Sequence, residues 1–405
     1  DLNLVFSGHG KHLDCPTLQL ANHHGLMIAG EAALSNWDAG MDMYIYGKLG
    51  NLIMTKEGIN VLMTNLTGKV PPILQRLDYI RFNGEAAGYL HDLTLTGLFH
   101  TGAGMVKTDV MMSIDEQSMS RTYSGSVASA DLDLGKLLNQ EKKFGKVDFN
   151  VELKGFNYKN RYPESYIKGI ISSFEYSQYQ YENIMLDGVY KDGGFNGRLS
   201  MDDANGSVQI DGNFNVAKTI PDFNLKASVK NLRPHDLHLS DKYENASISL
   251  GLTADFTGKS IDDMNGRISL DSLQLNAPDE GGCFLDNLTI TAGQVSGEKE
   301  LRINSSFMTA VIRGDYSYHT IPASVVKTVQ RYIPSLLTIK DNMPEPHNNF
   351  QFDICLENAE VLSKLFQIPL ELYLPASLKG YFNDGEEKLH VEGHFPEFRY
   401  NGTRY

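Results

Sequence analysis

The chain is poor in the features that usually announce a function. Its 405 residues hold only three cysteines, Cys15, Cys283 and Cys355, too few and too far apart for a disulfide framework or a zinc knuckle. No apolar run reaches the roughly 20 residues needed for a membrane-spanning helix. Basic residues are in deficit, 36 Lys+Arg against 50 Asp+Glu for a net charge of −14. With no Lys/Arg stripe interleaved with aromatics, this excludes nucleic acid as a partner and argues against lying flat on anionic head groups. Gly8-His9-Gly10 and Gly102-Ala103-Gly104 lack a following helix, so they read as turns and not as phosphate loops.

Catalytic constellations are equally scarce. His235 and His238 are three apart in an expected strand, which sends them to opposite faces and rules out a shared metal. His9, His12, His23 and His24 are denser but have no spaced carboxylate or cysteine partner, and read as surface or turn residues. The Asp202-Asp203 and Asp262-Asp263 pairs sit in Asn-Gly turns, where aspartate serves local hydrogen bonding. No Ser-His-Asp or Cys-His spacing stands out. A non-enzyme with no cofactor and no metal is expected.

What the chain has in quantity is alternation. In Ser207–Val216 the even positions are apolar and the odd ones polar or small, with Gly212 the only gap. After a turn at Ile220-Pro221, Phe223, Leu225, Ala227 and Val229 alternate with polar residues, and Ile248, Leu250, Leu252, Ala254 and Phe256 do the same. Side chains of a strand alternate between faces, so these runs predict consecutive antiparallel strands with one apolar and one wet face. Similar runs recur throughout. Leu93–Leu98 and Met105–Ile114 flank a hairpin at Thr101–Gly104, and Val147–Leu153, Ile167–Phe174, Ile184–Tyr190 and Phe195–Met201 follow one another, the last two across a turn at Lys191–Gly194.

Helices are few. A turn or two is expected at Pro71–Leu77 and another at Leu134–Gln140. A longer helix is expected near 322–335, and a short one at Ala359–Phe366 capped by Asn358. A linker or insertion is expected near 341–349. The chain divides on this reading into 1–120, 121–276 and 277–405. Asp202–Ile210 matches Asp262–Leu270 in its Asp-Asp-x-Asn-Gly start, each preceded by Phe-x-Gly-Arg/Lys, which reads as a duplicated unit in a repetitive sheet. So few helices cannot cover so many apolar strand faces. Either a second sheet packs on the first, or the sheet curls around an apolar trough.

Several stretches resemble the TamB-like (AsmA superfamily) translocation and assembly proteins of Bacteroidetes. They are Tyr123-Ser124-Gly125-Ser126-Val127, Leu132–Leu138, Phe144–Val147, Ile167–Tyr176, Tyr179–Ile184, Leu186–Gly197 and Phe256–Asp263 with Asn265-Gly266. The match is densest over 123–276, and its motifs are structural. The resemblance implies an all-β, mainly antiparallel fold, an elongated curled sheet forming an apolar groove with a few short helices. It implies a periplasmic bridge between inner and outer membrane whose groove carries phospholipid acyl chains. Val208, Ile210, Phe214, Val216, Phe223, Leu225, Val229, Ile248, Leu250, Leu252 and Phe256 would line it. Family members are anchored in the inner membrane. Because Asp1–Phe6 alternates like a strand from the first residue, an internal segment with its anchor elsewhere is expected. Two alternatives stand beside this reading: a scaffold for outer-membrane β-barrel assembly through strand edges, with the assembly machinery as partner, and a secreted adhesin or glycan-binding stack of sandwiches.

Overall fold

A computed structural model describes residues 2–405 except 116, 119, 158–163, 242–243, 279–280, 322, 325–347, 367 and 387. About 66% of the chain is strand and about 9% helix, an antiparallel all-β fold that does not close on itself. The chain forms two compact units, Asp1–Ala204 and Asn205–Tyr405.

In the first unit the strands are β1 (Leu2–His9), β2 (His12–Ala21), β3 (Leu26–Ser35), β4 (Tyr44–Thr55), β5 (Tyr79–Tyr89), β6 (Asp92–Thr101) and β7 (Gly104–Ile114). They continue with β8 (Arg121–Ala130), β9 (Leu132–Asp133), β10 (Phe144–Asn157), β11 (Glu164–Tyr176), β12 (Tyr179–Lys191) and β13 (Gly194–Asp203). Each of β1 to β7 pairs antiparallel with the next. Both β8 and β9 then pair with β10, and the meander runs on to β13. The hairpin at Asp192 and Gly193 places both residues at positive φ, 51° and 77°. That turn matches the right-handed twist of its flanking strands, which is why Asp-Gly occurs there.

The second unit repeats the plan. Its strands are β14 (Gly206–Asn215), β15 (Asp222–Leu232), β16 (Ser247–Thr257), β17 (Asn265–Asn276), β18 (Cys283–Val295), β19 (Glu298–Ser305) and β20 (Met308–Asp315). After these come β21 (Asn349–Leu356), β22 (Leu370–Leu372), β23 (Ala376–Asn383), β24 (Lys388–His394), β25 (Phe398–Tyr400) and β26 (Thr403–Arg404). β14 through β21, then β23 and β24, form one antiparallel meander, while β22, β25 and β26 make a small separate sheet.

Among the described residues four helices with defined bounds accompany these sheets. α1 (Lys56–Thr67) has no counterpart in the sequence reading, although Thr55 caps it by accepting from the Gly58 N–H at 3.3 Å and Gly68 ends it at φ 74°. Its apolar residues begin after Thr55–Gly58, with Ile59, Leu62 and Met63 at helical spacing. α2 (Pro72–Gln75) and α3 (Leu134–Leu138) fall where expected, α3 with Asp133 accepting from the Lys136 N–H at 2.8 Å. α4 (Glu360–Phe366) also does, with Asn358 Oδ1 accepting from the Glu360 N–H at 3.2 Å. The expected helix near 322–335 and linker near 341–349 lie, apart from Ala323, Ser324, Asn348 and Asn349, outside the described residues.

Two expectations are corrected. His235 to His238 lie in a tight turn and not in a strand, because Pro234 cannot donate to a ladder. The turn is closed by Leu237 N–H to Arg233 O (3.1 Å) and Leu239 N–H to Pro234 O (2.8 Å), and it plants Leu237 fully buried. The Asp-Asp-x-Asn-Gly repeat is not a structural duplicate. Asp202 and Asp203 are the last residues of β13, whereas Asp262 and Asp263 lie in a 3-10 turn ahead of β17.

Glycine permits the close strand spacing at two positions in particular. Gly125 in β8 has φ +142° and Gly212 in β14 has φ +145°. A Cβ there would meet the Asp109 and Asn224 carbonyl oxygens at 2.0 and 2.2 Å. Gly212, the gap in the apolar alternation, is thus a backbone requirement. Gly125→Val should destabilise the first unit by roughly 3 kcal/mol or more, read as a fall in Tm. Its neighbour Ser126→Val, on the other face, should shift Tm little.

Candidate functional site

Cross-strand register decides which side chains share a face. In the second unit, Gly212, Leu225, Ala254, Ile268, Ile290, Ile303, Ala310, Ile354 and Leu378 pair in sequence from β14 to β23. A parallel row two residues along runs Phe214, Phe223, Phe256, Gly266, Ala292, Leu301, Ile312, Phe352 and Gly380. In it Phe223 stacks on Phe256 with centroids 4.8 Å apart. Every position of both rows is apolar or glycine.

The first unit carries the same device. Leu4, Leu18, Gly30, Leu49, Gly84, Gly97, Thr108, Val127, Val151, Gly169, Leu186 and Leu199 pair one after another from β1 to β13. Thr108 is the one polar member, and its buried hydroxyl has no hydrogen-bond partner. The opposite faces are polar. In the second unit that side carries Asp255 opposite Arg267, Asp353 opposite Lys379 and Lys379 opposite Glu392, and it buries Glu300 between Arg302 and Arg313. The Arg313 guanidinium holds the Glu300 carboxyl below its ordinary range, against a smaller opposing effect of burial.

Of the sequence-predicted lining residues, Val208, Ile210, Phe214, Phe223, Leu225, Val229, Leu250, Leu252 and Phe256 lie on this apolar face through direct pairing, and Ile248 joins it opposite Leu232 beyond a bulge. Phe214 is 40% exposed, and Val216 lies past the end of β14 at 62% exposure. The equivalent face of the first unit went unnamed, although its alternation, for example Val151, Leu153, Ile167, Leu186 and Leu199, was there to be read.

Among the described residues, protein covers the apolar faces only at their margins. In the first unit Ile59 of α1 packs with Leu77, Ile80 and Ala103, flanked by Leu74 and Leu137. In the second, Val361 of α4 packs on Leu273, Leu285 and Phe307, and elsewhere Tyr316 packs on Phe350 and Phe382. The central rows, Leu225 to Leu378 and Leu18 to Leu199, contribute to none of the buried clusters among the described residues. Their larger side chains stay half-buried.

The Tyr316 margin is held by a polar clasp. Asp262 accepts from the Tyr318 N–H (2.6 Å) and the Ser317 hydroxyl (2.9 Å), with Lys299 Nζ 3.6 Å away and lying over both the Tyr316 and Tyr318 rings. Burial alone would raise the Asp262 pKa, but the Tyr318 and Ser317 donors together with Lys299 and His319 outweigh it and lower it. Asp263 accepts from the Lys259 N–H, the Ser260 hydroxyl and the Ser260 N–H, which bring its pKa to about 2.

Among the described residues no group of three or more His, Cys, Asp or Glu could hold a metal, and no helix is long and apolar enough to cross a membrane. His12 is bonded to Ser35 and Asp14, and His24 to Glu57. Open hollows of about 500 Å3 and about 480 Å3 lie on the polar faces, beside Lys168 and Asp187 in the first unit and beside Asp353 and Lys379 in the second. No family model, curated protein or solved structure matches the chain.

Two outcomes follow. Thr108→Val removes an unpaired hydroxyl from an apolar row and should be neutral or stabilising by up to about 1 kcal/mol in denaturant melts. A loss of more than that would mean the hydroxyl has a partner. Asp262→Ala should free the Tyr316–Tyr318 segment, seen as faster proteolysis there and a lower Tm. Because the folded pKa values of Asp262 and Asp263 are depressed, their contribution is complete above the ordinary carboxylate range and is lost as pH falls through it, toward about 2 for Asp263. The wild type should therefore approach the Asp262→Ala protein in Tm on acidification and not on alkalinisation.

Proposed function

We propose that the apolar faces bind the acyl chains of phospholipid, and that the chain is a TamB-like bridge segment working in the periplasm between inner and outer membranes. The observation that carries this is the apolar register of each unit, unbroken in the second and interrupted in the first only at Thr108, combined with the lack of a second protein layer over its central rows among the described residues. Water against such rows is unfavourable, and a buried acyl chain gains about 0.8 kcal/mol per CH2 while needing no polar partner. Continuity matters because a charged side chain in the path would be desolvated by a passing chain. The rows contain none. The head group needs no pocket if it stays in water, which suits a face without convergent donors or a metal-binding cluster. On this reading the protein is not an enzyme. Inner-membrane anchoring and outer-membrane partners belong to the same proposal.

The strand-edge scaffold has one observation in its favour. β24 pairs only with β23 among the described strands, and nearly all its residues are exposed, including Val391. An edge of that kind accepts an added strand by main-chain pairing.

The test is lipid content. Purified protein examined by native mass spectrometry should retain phospholipid, and Ile210→Glu with Leu252→Glu should remove it while far-UV circular dichroism stays that of a β protein. Lys226→Glu, on the polar face, should leave lipid retention unchanged. A wild type free of lipid and unable to take up a fluorescent phospholipid would reject the proposal. Binding of unfolded outer-membrane protein that survives Ile210→Glu but is lost on Val391→Pro would favour the scaffold.

A further inference from the structure

The polar face of the first unit carries an arrangement that lipid binding on the opposite face does not use. On β10, β11, β12 and β13, three neighbouring rows are in register. The middle row reads Glu152, Lys168, Asp187, Arg198, alternating in sign across the four strands. The row on one side reads Asn150, Ile170, Met185, Ser200, and on the other Lys154, Tyr166, Val189, Asn196. Ile170 and Met185 are neighbours at 39% and 55% exposure on a largely polar surface, and they border a hollow of about 500 Å3. Within one chain Lys168 Nζ lies 3.5 Å from Asp187, which also accepts from the Tyr166 hydroxyl at 2.8 Å.

Reading each row backwards gives its own complement. Glu152 then faces arginine, Lys168 faces aspartate, Ile170 faces methionine, Tyr166 faces valine and Asn150 faces serine. A twofold axis parallel to the strands, passing between β11 and β12, performs this reversal. Such an axis makes an isologous contact, in which each pairing occurs twice. The corresponding row of the second unit, Val311, Asp353, Lys379, Glu392, fails the same test, because reversal sets valine over glutamate.

We propose that this face of β10–β13 is a homodimer interface, with a second copy of the chain as its partner. The two sheets stack about 10 Å apart and within about 30° of alignment. Ile170 meets Met185 of the second copy, and Lys168 joins a four-charge network with both Asp187 carboxylates. Four strands by six or seven residues cover only about 400 Å2 per copy. That is roughly half the standard interface, so the association is weak, micromolar, and sensitive to salt. The inference stands apart from the lipid proposal, since it rests on the other face of the sheet.

Sedimentation equilibrium on the full chain, up to about 100 μM at low salt, should show a monomer–dimer equilibrium. Lys168→Glu should weaken it at least about tenfold by setting glutamate over Asp187 of the second copy. Adding Asp187→Lys in the same chain exchanges the two signs and should restore dimerisation. Met185→Glu should abolish it, with circular dichroism unchanged because the position is exposed. A wild type that stays monomeric over this range overturns the proposal. So does a Lys168→Glu protein that dimerises like wild type, or a double exchange that fails to recover.

Discussion

The whole structure depends on strict antiparallel register between sequence-adjacent strands. A one-residue slip in any hairpin would carry that strand's apolar set to the wet face and interrupt the apolar rows of its unit. The two-residue turns protect against this, as at Asp192-Gly193, because their positive-φ pair admits one geometry. The bulges absorb the remaining mismatches, for example between Val229 and Leu232 opposite Ile248, without changing which face carries the apolar side chains.

This register produces a sheet with an unusual division of labour. Conventional cores form only at the margins, where short helices and one strap supply a second layer over Ile80, Leu285 and Phe382. Between them, among the described residues, the apolar face is single-layered. Stability therefore comes largely from the ladders themselves, from neighbouring side chains along each row such as Phe223 on Phe256, and from charge pairs on the wet face. A ligand on the apolar face would add to that stability by mass action, linking occupancy to folding.

The polar face is ordered too. Its charges are paired across strands and not scattered, with Asp255 opposite Arg267 and Glu300 between Arg302 and Arg313. Such pairs favour one register over its neighbours even where each is worth little in water. In the first unit the same pairing, together with exposed Ile170 and Met185, makes the surface self-complementary.

Alternation in Val208–Phe214, Phe223–Val229 and Ile248–Phe256 was enough to determine strands, faces and antiparallel order, because side-chain period is a local property of extended backbone. Asn358 before α4 and Pro72 at the start of α2 were legible for the same reason, each satisfying or sparing a backbone group within one turn. Other features needed the tertiary structure. α1 carries local signals in Thr55 and Gly68, but its docking, Ile59 on Ile80, is a long-range contact. Pro234 keeps His235 and His238 in a turn and not in the strand expected there. Asp262 looked like its neighbour Asp263, yet one binds its own turn and the other reaches Ser317 and Tyr318, a partnership 55 residues away in sequence that no local pattern encodes. The sequence alone determined which side chains alternate. Which of them align across many strands was decided by long-range register.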